Sequence, residues 1–149
     1  MRALIQRVTA ARVTVRNDLV SSIEKGLCVL VGIQKDDTEA DIEYMVRKIL
    51  RTKLFSTDEG RWKKSVVEEG LEILCVSQFT LFAVLKGNKP DFHNSMPGEA
   101  SKEFYSKFLN AIRQSYENDK IKDGAFGEYM QVHIENDGPV TIMLDSQAR

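Results

Sequence analysis

Leu74-Cys75-Val76-Ser77-Gln78-Phe79-Thr80-Leu81-Phe82 is an apolar run broken by three polar side chains. Continuous apolar runs of this length suit a strand buried on both faces, so residues 72–84 read as the central strand of a sheet. Ser77, Gln78 and Thr80 sit awkwardly in such a strand. Burying a hydroxyl or an amide without a partner costs roughly 1–3 kcal/mol. Something must satisfy those groups, and a bound ligand is a good candidate. One stretch therefore marks both the middle of the fold and the place to look for a site.

The flanking sequence extends this reading. Residues 27–33 are continuously apolar, as in a second strand buried on both faces. Residues 2–9 and 11–16 alternate apolar and polar, and Asn17-Asp18 signals a turn before a strand at 19–23. Thr38-x-x-Asp41 resembles a capping box, opening a helix with Ile42, Met45, Val46, Ile49 and Leu50 on one face. Residues 86–98 carry Gly and Pro and read as a loop, followed by a helix over about 99–116. The chain finishes with strands at about 128–135 and 140–145, joined by Asn136-Asp137-Gly138-Pro139. Asn-Asp-Gly between strands is ordinary hairpin chemistry, although Pro139 removes a donor where pairing should resume. Strands dominate, and two helices stand apart along the chain. The expectation is a single α+β domain over 1–149, with a strongly curved antiparallel or mixed sheet forming a β-barrel-like core and two flanking helices.

Composition bounds the function. A chain of 149 residues, 42% hydrophobic and 29% charged, is that of one globular domain with a real core. No apolar run approaches the ~20 residues that span a bilayer. The N-terminal residues enter strand-like alternation with no signal-peptide pattern, so a cytoplasmic protein is expected. The net charge of −1 argues against a protein coating long nucleic acid through its overall field, but leaves room for a local basic grip. Arg47, Lys48, Arg51 and Lys53 form one basic cluster, Arg61, Lys63 and Lys64 another, and Lys86 and Lys89 flank a loop. Cys28 and Cys75 sit in apolar runs and read as buried free thiols. The two Cys and two His are scattered, without the short spacing of a zinc site.

Several stretches together resemble the D-aminoacyl-tRNA deacylases. They are Gln6-Arg7-Val8, Gly26 to Ile33, Ser77-Gln78-Phe79-Thr80-Leu81, Lys86 to His93, Phe126 to Val132, and Asn136-Asp137-Gly138-Pro139-Val140-Thr141-Ile142. The resemblance implies a homodimer that hydrolyses D-amino acids from mischarged tRNA, with tRNA as partner and neither metal nor organic cofactor. It further implies a cis Gly138-Pro139 bond that reaches into the partner copy's pocket and excludes an L side chain. Arg7 would support that turn and Asn136 would belong to it, while Met130 either lines the pocket or is a core methionine. Glycine has no Cβ to exclude, so mischarged glycyl-tRNA is an expected second substrate.

The residues fit chemistry that needs little force. An aminoacyl ester on a ribose is activated already, and placement with preorganised backbone donors supplies most of what hydrolysis requires. Ser77, Gln78, Phe79 and Thr80 are read as a catalytic wall. The N–H groups of Phe79 and Thr80 would hold the oxyanion, and the side chains would order ester and water. Lys86 and Lys89 are candidate phosphate contacts, and no double-stranded DNA partner is expected. The rivals are a non-catalytic nucleic-acid-binding protein on the same scaffold, weakened by a chain ending at Arg149 without a charged tail, and a small-ester hydrolase with Thr80 as nucleophile. The second needs a base within reach. His133 is expected on an outer strand face, and His93 at a loop end.

Overall fold

The N-terminal alternation becomes one long strand in the computed structural model, which describes residues 1–149. That strand, β1 (Arg2–Val15), turns through Arg16 and Asn17, both at positive φ, into β2 (Asp18–Ile23). β3 (Gly26–Gly32) follows, then helix α1 (Glu39–Arg51), an outlying hairpin of β4 (Phe55–Thr57) and β5 (Gly60–Lys64), and β6 (Glu72–Ser77). A second small hairpin pairs β7 (Val84–Lys86) with β8 (Lys89–Asp91). Helix α2 (Gly98–Ser115), β9 (Ile121–Asp123) and β10 (Gln131–Asp145) complete the chain. No helix is long and apolar enough to cross a membrane.

The main sheet has the order β10-β1-β3-β6-β9, with β2 also paired to β1. β1 runs antiparallel to β2, β3 and β10, whereas β3, β6 and β9 are mutually parallel. The sheet curves until β2 approaches β9, where the Ser21 hydroxyl donates to the Asp123 carbonyl at 2.6 Å. The expected mixed, barrel-like α+β core with two helices is present.

Both faces of the sheet are buried, which explains the continuous apolar runs. Ala3, Ile5, Leu27, Val29, Val31, Ile73 and Cys75 face a core shared with Ile42, Met45 and Ile49 of α1 and Tyr105, Phe108 and Ile112 of α2. Val8, Ala11, Val13, Cys28, Leu74 and Val76 fill the concave side. α1 opens as its sequence demands, with the Thr38 backbone N–H donating to Asp41 Oδ2 at 2.8 Å. Both cysteines are buried free thiols.

Three expectations are corrected. The central strand ends at Ser77, not at 84, because the chain turns into a one-turn 3₁₀ helix at Phe79–Phe82. The loop over 86–98 contains half of the β7–β8 hairpin, turning at Gly87 with φ +63°. The anticipated hairpin at Asn136–Pro139 does not form. Instead, β10 runs through that segment and pairs with β1 on both sides of it. Thr141 pairs with Gln6 and Asn136 with Val8, so Asp137, Gly138, Pro139 and Val140 bulge opposite Arg7 alone.

Candidate active site

The Ser77-Gln78-Phe79-Thr80 stretch lies where β6 leaves the sheet; Ser77, Gln78 and Phe79 line a cleft of about 1120 Å3, whereas Thr80 stands just outside its lining. Ser77 and Gln78 are half-buried, and Phe79 and Thr80 are exposed. These polar groups therefore face open space rather than the middle of a buried strand. The run was apolar on either side because the strand before it and Phe82 after it are buried.

The turn is held from behind. Gln78 N–H donates to Val31 C=O at 2.8 Å, and Arg2 Nη1 donates to Leu81 C=O at 2.8 Å while its guanidinium lies 4.6 Å from the Phe82 ring centre. Ser95 Oγ donates to Phe79 C=O at 3.0 Å, and the Phe79 and Phe92 rings meet edge to face at 4.9 Å. The first N–H groups of a helical turn have no acceptor within it, and those of Phe79 and Thr80 take part in none of the turn, loop or side-chain bonds. Two unpaired backbone donors on a fixed turn, beside a cleft, are suited to a developing negative charge. The Gln78 amide donates to Thr80 Oγ1 across the same turn.

A second wall is the segment Phe126–Met130, which joins Ser77, Gln78 and Phe79 in lining the cleft. Met130 Sδ accepts the Ala125 N–H at 3.3 Å and would lie 2.9 Å from a Cβ at Gly124, so the sulfur folds this segment back onto β6. Phe126 rests 5.7 Å from the Tyr105 ring. Behind it, Tyr105 OH donates to Asp123 Oδ1 at 2.7 Å, in a setting where burial pushes the carboxyl above its usual range.

The remaining residues singled out from the sequence lie elsewhere. Arg7, Asn136, Gly138 and Pro139 gather at the β1–β10 bulge and line no part of the cleft. Ser77 pairs with Val31, and Val31 with Ala3; Arg7 is four residues further along β1, about 13 Å at strand spacing. Arg7 Nη1 donates to Leu54 C=O at 2.7 Å, and its Nε stands 3.2 Å from Asp137 Oδ2 without hydrogen-bond geometry. Gly138 has φ +118°, and a Cβ there would come within 3.2 Å of Arg7 Nη2. The Gly138-Pro139 peptide is cis. Asn136 Oδ1 is 3.5 Å from Gln6 Nε2.

Lys86 and Lys89 are exposed on the β7–β8 hairpin, and Lys86 Nζ is paired with Asp91 at 3.2 Å. His93 does line the cleft, but its ring Nδ1 is engaged by Asp91. Hydrogen bonds from the His93 ring and backbone N–H, with Lys86 nearby, hold the Asp91 carboxyl down at about 2. His133 is exposed on β10 opposite Arg12, away from Thr80. No base stands beside Thr80 among these side chains, and no cluster of His, Cys, Asp or Glu could hold a metal ion. The sequence reading missed Lys35 and Phe92, which line the cleft. Nothing in their local pattern sets them apart, because the contact between the end of β3 and the 92–98 loop comes from tertiary pairing of Gln34 with Ser95.

The chain is similar to known proteins over nearly its whole length. The family model described as D-Tyr-tRNA(Tyr) deacylase matches residues 4–145. The chain is 64% identical over 146 residues to a D-aminoacyl-tRNA deacylase of Drosophila melanogaster, covering 98% of this chain and 92% of that one. It is 56% identical over 149 residues to the human D-aminoacyl-tRNA deacylase 1, covering 99% of this chain and 71% of the human one. A solved chain described as c-Myc DNA Unwinding Element Binding Protein superposes with TM-score 0.94 at 56% identity, covering 97% of this chain and 98% of that chain. A second, described as a probable eukaryotic D-amino acid tRNA deacylase, shares the fold with TM-score 0.82 at 21% identity, covering 96% and 97%. With a family model spanning residues 4–145 and relatives of 56–64% identity aligned over 98–99% of its length, this chain belongs to the D-Tyr-tRNA(Tyr) deacylase family.

Proposed function

We propose that the protein hydrolyses the ester joining a D-amino acid to the terminal ribose of tRNA, releasing free amino acid and tRNA as a proofreading step of translation. The observation that carries this reading is the fixed 78–82 turn, which holds the free N–H groups of Phe79 and Thr80 side by side where Phe79 lines the cleft.

In the proposed step, a water oxygen bonds to the ester carbonyl carbon, and the carbonyl oxygen takes the negative charge. The N–H groups of Phe79 and Thr80 receive that charge, the kind of contact whose loss costs about 10²–10³ in rate in other hydrolases. The Ser77 and Thr80 hydroxyls and the Gln78 amide order the ester and the water. As the intermediate collapses, the ribose oxygen leaves with the bonding pair and takes up the proton released by water. The neighbouring ribose hydroxyl is the proton's route, since His93 is engaged by Asp91 and His133 lies elsewhere. The step as written uses no metal or organic cofactor.

Chirality is assigned to the Asn136–Pro139 bulge, entering the cleft from a second copy of the chain. Support comes from the separation of the two groups: the bulge is anchored to Arg7 and lines no wall of the cleft. On this reading the working unit is a homodimer with two composite sites, each cleft completed by the bulge of the other copy. A backbone wedge with no side-chain pocket rejects an L side chain by collision and accepts many D-amino acids. Glycyl-tRNA, lacking a Cβ, is also a substrate. The setting is the cytoplasm, where aminoacyl-tRNA is used.

The deciding assay is release of tyrosine from matched D- and L-tyrosyl-tRNA by purified protein. Release from the D-ester alone is expected, and release from neither would overturn the assignment. Mixing Thr80→Ala protein with Gly138→Ala protein after mild dissociation tests the composite site. A mixture that releases D-tyrosine faster than the Thr80→Ala parent and discriminates against the L-ester better than the Gly138→Ala parent is expected, because one of the two sites in a mixed dimer is intact. No gain over the parents would refute the composite site.

A further inference from the structure

The cleft is larger than the terminal nucleoside ester needs. Single-ligand pockets run to roughly 300–1,000 Å3, and this one is about 1120 Å3. Two residues on its walls have no role in the chemistry above. Tyr129 is 87% exposed, the most exposed large apolar side chain of the fold, and yet it is carried by the Phe126–Met130 wall that the Met130 sulfur pins in place. Lys35 is held on the other wall, where its backbone N–H donates to Asn94 C=O at 3.0 Å. It is the one lysine or arginine that lines the cleft, and its ammonium forms no ion pair that would occupy it. An exposed ring on a rigid backbone and an uncompensated cation, both in one cleft, match the two chemistries of a single-stranded nucleotide: a base with a flat face and a phosphodiester.

We infer that Tyr129 and Lys35 form a subsite for the nucleotide that precedes the terminal adenosine of the tRNA, the base stacking on the Tyr129 ring and the linking phosphate meeting the Lys35 ammonium. This rests on the reading that the cleft receives the aminoacylated end of tRNA. Lys35 lies in the cleft itself, whereas Lys86, paired with Asp91, and Lys89 lie outside its lining. The subsite recognises any base by its face, so it adds affinity without adding tRNA selectivity.

The test compares two minimal substrates: D-tyrosyl-adenosine, and the D-tyrosyl ester of the dinucleotide cytidylyl-adenosine. The reading is the ratio of kcat/KM for the dinucleotide ester to that for the nucleoside ester. In the wild-type protein that ratio is about tenfold or more, the value of one base–aromatic stack. Tyr129→Ala and Lys35→Ala each bring it toward one, and Tyr129→Phe, which keeps the ring, preserves it. Lys35→Ala also flattens the salt dependence of the dinucleotide reaction by about 0.7 in log–log slope. A wild-type ratio near one, or a ratio untouched by both alanine variants, overturns the subsite. Absence of release from both esters and from D-tyrosyl-tRNA by the wild-type protein is a different failure, that of the proposed activity. Because Tyr129 is exposed and Lys35 is a surface residue, loss of folding does not confuse the result, and thermal melting confirms it.

Discussion

Gly32→Ala is the substitution that asks most directly whether the position of the 78–82 turn controls the reaction. Gly32 ends β3, directly behind that turn. A Cβ added there would lie 3.0 Å from Leu81 Cβ, 3.2 Å from Gln78 O and 3.3 Å from Phe82 Cδ2, so the turn must give by a few tenths of an ångström. It cannot slide freely, because Gln78 is bonded to Val31, Leu81 to Arg2, and Phe82 is buried. Overpacking of this kind costs about 1–3 kcal/mol, which for a chain of this size lowers Tm by roughly 2–12 °C. A 1 Å misplacement costs about 10²-fold in rate, so a few tenths should lower the single-turnover rate by about three- to tenfold. The assay is single-turnover release from D-tyrosyl-tRNA, well below both melting points. Ile112→Val is the control: it trims the α2 core far from the turn, costs about 0.5–1.5 kcal/mol, and leaves the rate alone. A Gly32→Ala protein that melts lower but reacts at the wild-type rate would refute the claim that these backbone donors are held to working position from behind.

Other outcomes follow from the same contacts. Arg7→Lys leaves one ammonium where a fork spans Leu54 C=O and Asp137, and should cost about 1–2 kcal/mol in urea denaturation; unchanged stability would show the fork to be idle. Gly138→Ala meets both a positive φ and the Arg7 guanidinium, so it should destabilise by about 1–3 kcal/mol, read as a lower urea midpoint. Burial pushes the Cys28 thiol up to about 12 and Cys75 higher still, so native protein should resist iodoacetamide at pH 8 while unfolded protein takes up two equivalents. Asp91 is held at about 2 by His93 and Lys86. Its folded pKa lies below the unfolded value, so its contribution is present above the ordinary carboxylate range and lost as pH falls toward 2. Carboxyl NMR titration should show that low midpoint in the wild type, and Lys86→Ala should raise it.

The sequence carried the sheet further than its edges. Residues 27–33 and 72–77 read as doubly buried strands because they are, with helices on one side and the concave core on the other. The amphipathic face of α1 and its Thr38–Asp41 opening were equally plain. The hairpin at 55–64 was invisible, since β5 is exposed throughout and has no alternation to read. β9 is three residues long and is fixed by parallel pairing with β6, a contact between distant segments. Ser77–Thr80 was legible as a site for a reason that needs correcting. The polar residues are not buried and unsatisfied; they mark the point where the chain leaves the sheet. A change of residue type inside an apolar run signals a strand's end as readily as a buried ligand contact.

The same correction explains Arg7, which looked out of place between Ile5 and Val8. Up to Ile5, the buried side of β1 is the one under the helices; at Val8 it is the concave side. Arg7 is the next residue on the helix side after Ile5, so its side chain emerges where the helix layer runs out, beside Leu54 just past α1. A hydrophobic residue there would cover nothing, whereas a long stem with a charged fork can close the edge and still reach polar partners. The partners it reaches are a free carbonyl and the bulge of β10, four residues that no other β1 position faces. The extra chain of that bulge is tolerated because it falls where one core gives way to the other, between Ile5 and Val8. That is also why the Gly138-Pro139 segment projects from the sheet and lines no wall of its own chain's cleft, and why a second copy of the chain is the proposed way to bring the two together.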